Sequence, residues 1–265
     1  MNNLNPIGVF DSGVGGLSVL KCIREKLPNE DLLYIADSSY APYGNKERSY
    51  IEDRSVLLTR FLLGQKAKAI VVACNTATAV AISTLRSMFS LPIIGMEPGV
   101  KPAVSVTKTG TIGIMATRET LKSAKFNTLI SQFCNNVKIT TQDCPGLVEQ
   151  IEKTDFSGKI TQELVEKYVL SLLEKGADTI VLGCTHFLFI APLIEKIIGK
   201  NVVVIDTGAA VAREVSRRLQ DAGLLTNSNN NGSERFWISG DKEDTKKIIN
   251  HLWHKEAFIE ILPDS

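Results

Sequence analysis

Three short stretches recur in order along this chain at nearly constant spacing, and that repeat limits the folds open to it. Ile7-Gly8-Val9 returns as Ile112-Gly113-Ile114, 105 residues further on. The run at 70–76 (IVVACNT) returns at 180–186 (IVLGCTH), an offset of 110, and the run at 93–97 (IIGME) returns at 202–206 (VVVID), an offset of 109. Ordered matches of this kind point to two similar halves of about 105–110 residues each. The chain beyond about residue 210 is then an extension that returns to the first half. The expected domains are residues 1–97 plus 210–265, and residues 98–209.

The halves read as parallel α/β. Apolar runs at 6–10, 31–36, 69–73, 92–95, 111–115, 138–141, 179–183 and 202–205 are short and rich in β-branched residues, which suits strands covered on both faces. Amphipathic stretches at 17–26, 47–65, 77–89, 160–175 and 207–222 lie between them and predict helices, with Gly176 as a C-terminal cap. The polar stretch at 226–233 (TNSNNNGS) predicts a surface loop, followed by an antiparallel or edge strand at 235–239. A length of 265 residues agrees with two domains at roughly 150 residues each. The expected fold class is therefore two similar parallel-sheet α/β domains related by a pseudo-twofold axis.

Composition excludes several roles. Lys plus Arg number 30 against 29 Asp plus Glu, so there is no surplus charge for a phosphate backbone and no nucleic-acid partner is expected. The apolar runs are too short to span a bilayer, so no membrane partner is expected. The first eleven residues carry no basic, apolar leader pattern, which predicts a cytoplasmic protein. Five cysteines (Cys22, Cys74, Cys134, Cys144, Cys184) are odd in number with no Cys-x-x-Cys spacing, so no disulfide framework is expected. The three histidines (His186, His251, His254) do not stand at zinc-ligand spacing from a cysteine pair.

The chemistry-bearing residues gather at strand ends. Asp11-Ser12-Gly13-Val14-Gly15-Gly16 looks like a phosphate turn, but Ser18 stands where a dinucleotide fingerprint needs Gly or Ala. An anionic small ligand at the strand end fits better, and a plain turn with Ser12 as N-cap is the bland alternative. Cys74 and Cys184 each close an apolar strand and open a helix. Carboxyl ends of parallel strands are where α/β proteins bind ligands, and a helix N-terminus lowers the pKa of a thiol. Either cysteine alone reads as a core residue. Two at equivalent places in two halves would face each other across one cleft if the halves pack about a twofold. Opposed thiols could invert a stereocentre, one removing a proton and the other returning one. Asp11 shares a half with Cys74, and His186 stands two residues from Cys184. Asp37-Ser38-Ser39 with Pro42-Tyr43-Gly44 predicts a loop at the same edge. Thr117 occupies the corresponding place to Ser12.

In these motifs the chain resembles the aspartate/glutamate racemase family, and within it the glutamate racemases. Gly8 to Gly16, Ala36-Asp37-Ser38, Pro42-Tyr43-Gly44, Ala73 to Ala77, Glu97-Pro98, Ala116-Thr117 and Gly183 to His186 follow in the family's order, over about residues 7–213. The resemblance implies an isomerase that interconverts L- and D-glutamate without a cofactor and supplies D-glutamate for peptidoglycan, hence for cell-wall biogenesis and cell shape. It implies an active site in the cleft between two α/β domains. It makes Cys74 and Cys184 the paired proton donor/acceptors, with Asp11 and His186 assisting. It makes Asp11, Ser12, Tyr43, Gly44, Asn75, Thr76, Thr117, Thr185 and His186 substrate contacts, with Asp37 and Glu152 as acidic residues nearby. Phe187-Leu188 departs from the family's usual Tyr-Pro, which changes the wall behind Cys184 and leaves the reacting groups alone. A racemase for aspartate and a non-catalytic amino-acid-binding protein are the alternatives. The Asp11–Gly16 turn and the Pro-Tyr-Gly loop favour glutamate, and a mere binder has no need of matched cysteines. No Schiff-base lysine motif or metal cluster is visible, so no pyridoxal phosphate, nucleotide or metal is expected. Family members differ in oligomeric state, which leaves a homodimer open.

Overall fold

The computed structural model describes residues 2–133, 136–240, 242–253 and 256–263. Cys134 and His254 lie outside the described residues. The chain divides into two units, Met1–Met96 with Gly208–Ser265, and Glu97–Thr207.

The first unit begins with β1 (Ile7–Asp11), α1 (Leu17–Lys26), β2 (Leu32–Ala36), α2 (Arg48–Gly64), β3 (Ala69–Val72), α3 (Asn75–Met88) and β4 (Ile93–Gly95). Every residue of β1, β2 and β3 is buried. Helices cover both faces of a parallel sheet, so its strands are continuous apolar runs without alternation.

The second unit runs α4 (Val100–Val106), β5 (Thr111–Ala116), α5 (Arg118–Lys122), α6 (Ala124–Phe133), β6 (Lys138–Asp143), α7 (Leu147–Glu152), α8 (Lys159–Leu173), β7 (Thr179–Gly183), α9 (Ala191–Ile198) and β8 (Val203–Ile205). Its parallel sheet has the order β6-β5-β7-β8. After α8 the chain turns at Gly176, whose φ of +91° suits glycine and whose N–H bonds the Leu173 carbonyl at 2.8 Å.

The chain then returns to the first unit through α10 (Gly208–Asp221), which packs on α1, then β9 (Glu234–Ile238), α11 (Lys242–Trp253) and β10 (Ile259–Ile261). The first sheet has the order β10-β9-β2-β1-β3-β4 and is parallel throughout. This corrects the reading of 235–239 as an antiparallel or edge strand. β9 is an inner strand, because the three-residue β10 pairs along its outer side. Among the described residues no helix is long and apolar enough to cross a membrane.

The repeat in the sequence is a repeat of topology. β2-β1-β3-β4 and β6-β5-β7-β8 have the same order around a central first strand. Phe10 pairs with Val72 in one sheet and Met115 with Leu182 in the other, so the offsets of 105 and 110 are the register of the two sheets. The third match slips by two. Ile70 pairs with Ile93 while Ile180 pairs with Val204, which makes Val204, not Val202, the counterpart of Ile93. A two-residue slip leaves every side chain on its own face, so hydrophobic patterning cannot detect it.

Candidate active site

In the first unit, Cys74 lies two residues past Val72, where the extended strand ends (φ −137°, ψ 122°) and α3 begins. Its sulfur caps the helix by accepting from Ala77 N at 3.4 Å. That is why α3 begins at Asn75, two residues before its apolar pattern starts. The thiol donates to the Ser12 hydroxyl at 3.6 Å, and Ser12 Oγ donates to Asp11 Oδ1 at 3.4 Å. Ser12 thus bridges the thiol and a wholly buried carboxylate. It is not the N-cap of α1; Gly16 holds that place. Gly16 N donates to Asp11 Oδ2 at 2.6 Å, and a Cβ at Gly16 would come within 2.7 Å of Asp11 Cβ and 2.9 Å of Tyr34 Oη. This glycine makes room for a carboxylate of the protein itself, and its N–H is spent there instead of on a nucleotide phosphate.

Asp37 follows β2 and is anchored by its N–H to the Asp11 carbonyl at 3.0 Å. Its carboxylate accepts from Tyr43 Oη at 2.5 Å and from Arg54 Nε and Nη2 at 2.8 and 2.7 Å. Burial pushes the Tyr43 hydroxyl pKa well above its ordinary value, and the charges of Asp37 and Cys74 add to this. Tyr43 therefore stays protonated and donates. Gly44, Asn75 and Thr76 are buried as well. Both polar atoms of the Asn75 amide are buried without a hydrogen-bond partner among the described residues.

In the second unit, Cys184 lies two residues past Leu182 and opens the 3-10 turn Thr185–Ile190. α7 packs on this turn and delivers Glu152 to it. His186, almost wholly buried, sets Nε2 at 2.6 Å from Glu152 Oε1 and Nδ1 at 3.9 Å from Cys184 Sγ. Burial opposes a charged imidazole, but contacts with Cys184 and Glu152 outweigh it and hold the His186 pKa well above the ordinary histidine value. Thr185 is buried, and Thr117 caps α5 by accepting from Thr120 N at 3.5 Å. Phe187 is wholly buried in the apolar core behind Cys184. Among the described residues no three His, Cys, Asp or Glu side chains gather as metal ligands do.

Sequence reading missed two residues. Arg54 sits mid-helix in α2, and nothing local marks it. Cys144 bonds its N–H to the Ala116 carbonyl at 3.2 Å, as Asp37 does to Asp11, so it takes the place of Asp37 in the second unit. Burial, then the charge of Cys184, pushes the Cys144 thiol pKa well up. The preceding runs, LLYIA at 32–36 and ITTQD at 139–143, share no residue in register, so only the strand pairing reveals the equivalence.

The sequence model of the Asp/Glu/hydantoin racemase family matches residues 7–215. The chain belongs to this family. It is 53% identical over 261 residues to a glutamate racemase of Methylococcus capsulatus, covering 98% of this chain and 96% of that protein. A glutamate racemase of Bacillus anthracis superposes with a TM-score of 0.91 at 32% identity, covering 99% and 98% of the two chains. The glutamate racemase of Francisella tularensis, solved in complex with D-glutamate, gives 0.86 at 30% identity and 98% coverage of both.

Within this racemase the strand-end residues form two chains of like design. One runs from the Cys74 thiol through the Ser12 hydroxyl to the Asp11 carboxylate. The other runs from the Cys184 thiol through the His186 imidazole to the Glu152 carboxylate. Asp37 and Tyr43 form a separate network with Arg54.

Proposed function

We propose that this racemase interconverts L- and D-glutamate without a cofactor, through Cys74 and Cys184, and supplies D-glutamate for peptidoglycan. The observation that carries the mechanism is the matched register: each unit ends its β3-type strand in a cysteine at the same place relative to the central strand. High identity to relatives named glutamate racemases supports the substrate over aspartate.

From D-glutamate, the Cys74 thiolate takes the Cα proton and the C–H electron pair passes into a planar carbanion. The Cys184 thiol then gives its proton to the opposite face, leaving L-glutamate, a Cys74 thiol and a Cys184 thiolate. The reverse direction exchanges the roles. A cationic His186 shares one N–H with Glu152 and turns the other toward the Cys184 sulfur, where it can support negative charge. Asn75, with an unpaired buried amide, can both donate to a substrate carboxylate and accept from its ammonium.

Incubating L-glutamate with the protein in D₂O tests the proposal. D-glutamate should accumulate toward an equal mixture with deuterium at Cα. Retained optical activity with no exchange would overturn it.

A further inference from the structure

Arg54 belongs to no motif of the sequence, yet it holds the centre of the Asp37 network. The guanidinium is largely buried, lies 4.1 Å over the Tyr40 ring centroid, and clamps both Asp37 oxygens. A planar fork matching a carboxylate fixes that carboxylate in direction as well as charge. The backbone of Asp37 is fixed as well, because its N–H is bonded to the carbonyl of Asp11, the last residue of β1. The fixed Oδ2 is the acceptor for Tyr43, and Tyr43 anchors the turn 43–45. That turn packs on α3, and Tyr43 shares a buried cluster with Cys74, the cap from which α3 starts at Asn75. From the other side Ser239 Oγ accepts from Ser39 N at 3.2 Å, and a Cβ at Gly240 would overlap Ser39, so the returning chain fits closely against the same loop.

We propose that Arg54 is a positioning residue for substrate binding: it orients Asp37, Asp37 orients Tyr43, and the Tyr43-Gly44 turn is thereby held against the start of α3. This rests on the glutamate racemase reading above. Lys68 and Glu30 supply the internal contrast. They form a buried ion pair in the same unit, joined to Asn3 and Thr226 instead of to any strand-end residue. Loss of that pair should cost stability alone.

The test begins with deuterium exchange by the wild-type protein; failure there overturns the functional reading, and the role given to Arg54 with it. Given exchange, steady-state constants for both enantiomers are compared in Arg54→Lys, Arg54→Gln, the pair Arg54→Gln with Asp37→Asn, and Lys68→Met. Lysine keeps the charge and loses the fork, so KM should rise by about tenfold with kcat changed far less, and glutamine should raise it further, toward the roughly 100-fold cost of a misplaced binding group. Neutralising Asp37 as well should recover part of the loss, since no unpaired buried carboxylate remains. Lys68→Met should lower the unfolding midpoint and leave KM unchanged. Wild-type KM in Arg54→Lys, or a rise no larger than in Lys68→Met, would overturn the proposal while leaving the racemase reading intact. If Arg54→Gln does not fold, Arg54→Lys decides alone.

Discussion

Glu152 Oε1 lies 2.6 Å from His186 Nε2, while the other ring nitrogen faces the Cys184 sulfur at 3.9 Å. A carboxylate 34 residues earlier in the chain thus completes a carboxylate–imidazole–thiol series. The first unit builds its counterpart with a hydroxyl between carboxylate and thiol. A hydroxyl passes on a hydrogen bond but holds no charge near neutrality, whereas an imidazole can hold one.

Cys184 and Glu152 both act to raise the His186 pKa against the effect of burial. Glu152→Gln removes a partner that helps raise the imidazole pKa, so His186 should lose its proton at lower pH than in the wild type. The ring C–H shift, followed by NMR across pH and assigned with His186→Asn, reads this directly. An unchanged midpoint would show that Glu152 is not what sustains the charge. The sign for stability follows. Because the folded value is raised, the contribution is complete below the unfolded histidine value of about 6.5. It fades as pH rises through the folded value, so the stability gap between wild type and His186→Asn should narrow at alkaline pH.

The two chains should act on different enantiomers. By the proposed mechanism Cys74 deprotonates D-glutamate and Cys184 deprotonates L-glutamate. The equilibrium constant is near unity in water, so kcat/KM must stay balanced between directions and cannot separate the helpers. Primary isotope effects with Cα-deuterated substrate can. Asp11→Asn should raise the effect mainly for D-glutamate, and His186→Asn mainly for L-glutamate. Equal changes for both enantiomers in both variants would remove the assignment of one helper to each cysteine.

Replacing either thiol should stop racemisation. Serine is a far weaker acid, and a positioned acid–base group contributes roughly 10²–10⁴-fold. Cys74→Ser and Cys184→Ser should each lose at least about 100-fold in turnover, read by circular dichroism of the substrate. Near-normal turnover in either variant would end the two-cysteine mechanism. Dialysis of the wild type against a chelator should leave turnover intact; loss restored by added metal would point to different chemistry.

Asn75 should trade stability for binding. Leaving a buried amide unpaired costs about 1–3 kcal/mol, and an apolar group of similar size does not bear that cost. Asn75→Leu should therefore raise Tm without ligand, by about 2–4 °C for each kcal/mol recovered. It should also raise KM for both enantiomers by about tenfold or more. A fall in Tm with KM unchanged would make Asn75 an ordinary core residue.

The sequence alone determined the parallel α/β class and the equivalence of Cys74 and Cys184. Strands covered on both faces must be continuous apolar runs, and a residue that ends such a run and starts a helix is marked by that change of period. The two offsets, 105 and 110, matched β1 with β5 and β3 with β7, while the pairing of β1 with β3 and of β5 with β7 appears only in the sheets. Other features needed the folded chain. β10 is three residues long, too short to show a period, and its presence turns β9 from an edge into an inner strand. The register of β8 differs from the best sequence match by two residues that patterning cannot see. Arg54 meets Asp37 across 17 residues, and Glu152 meets His186 across 34, through helices whose own sequences are indifferent to the contact. Local pattern records which face of an element is buried. Only tertiary structure decides which side chain of another element waits there, because that depends on how the strands are ordered and on where each crossover helix comes to lie.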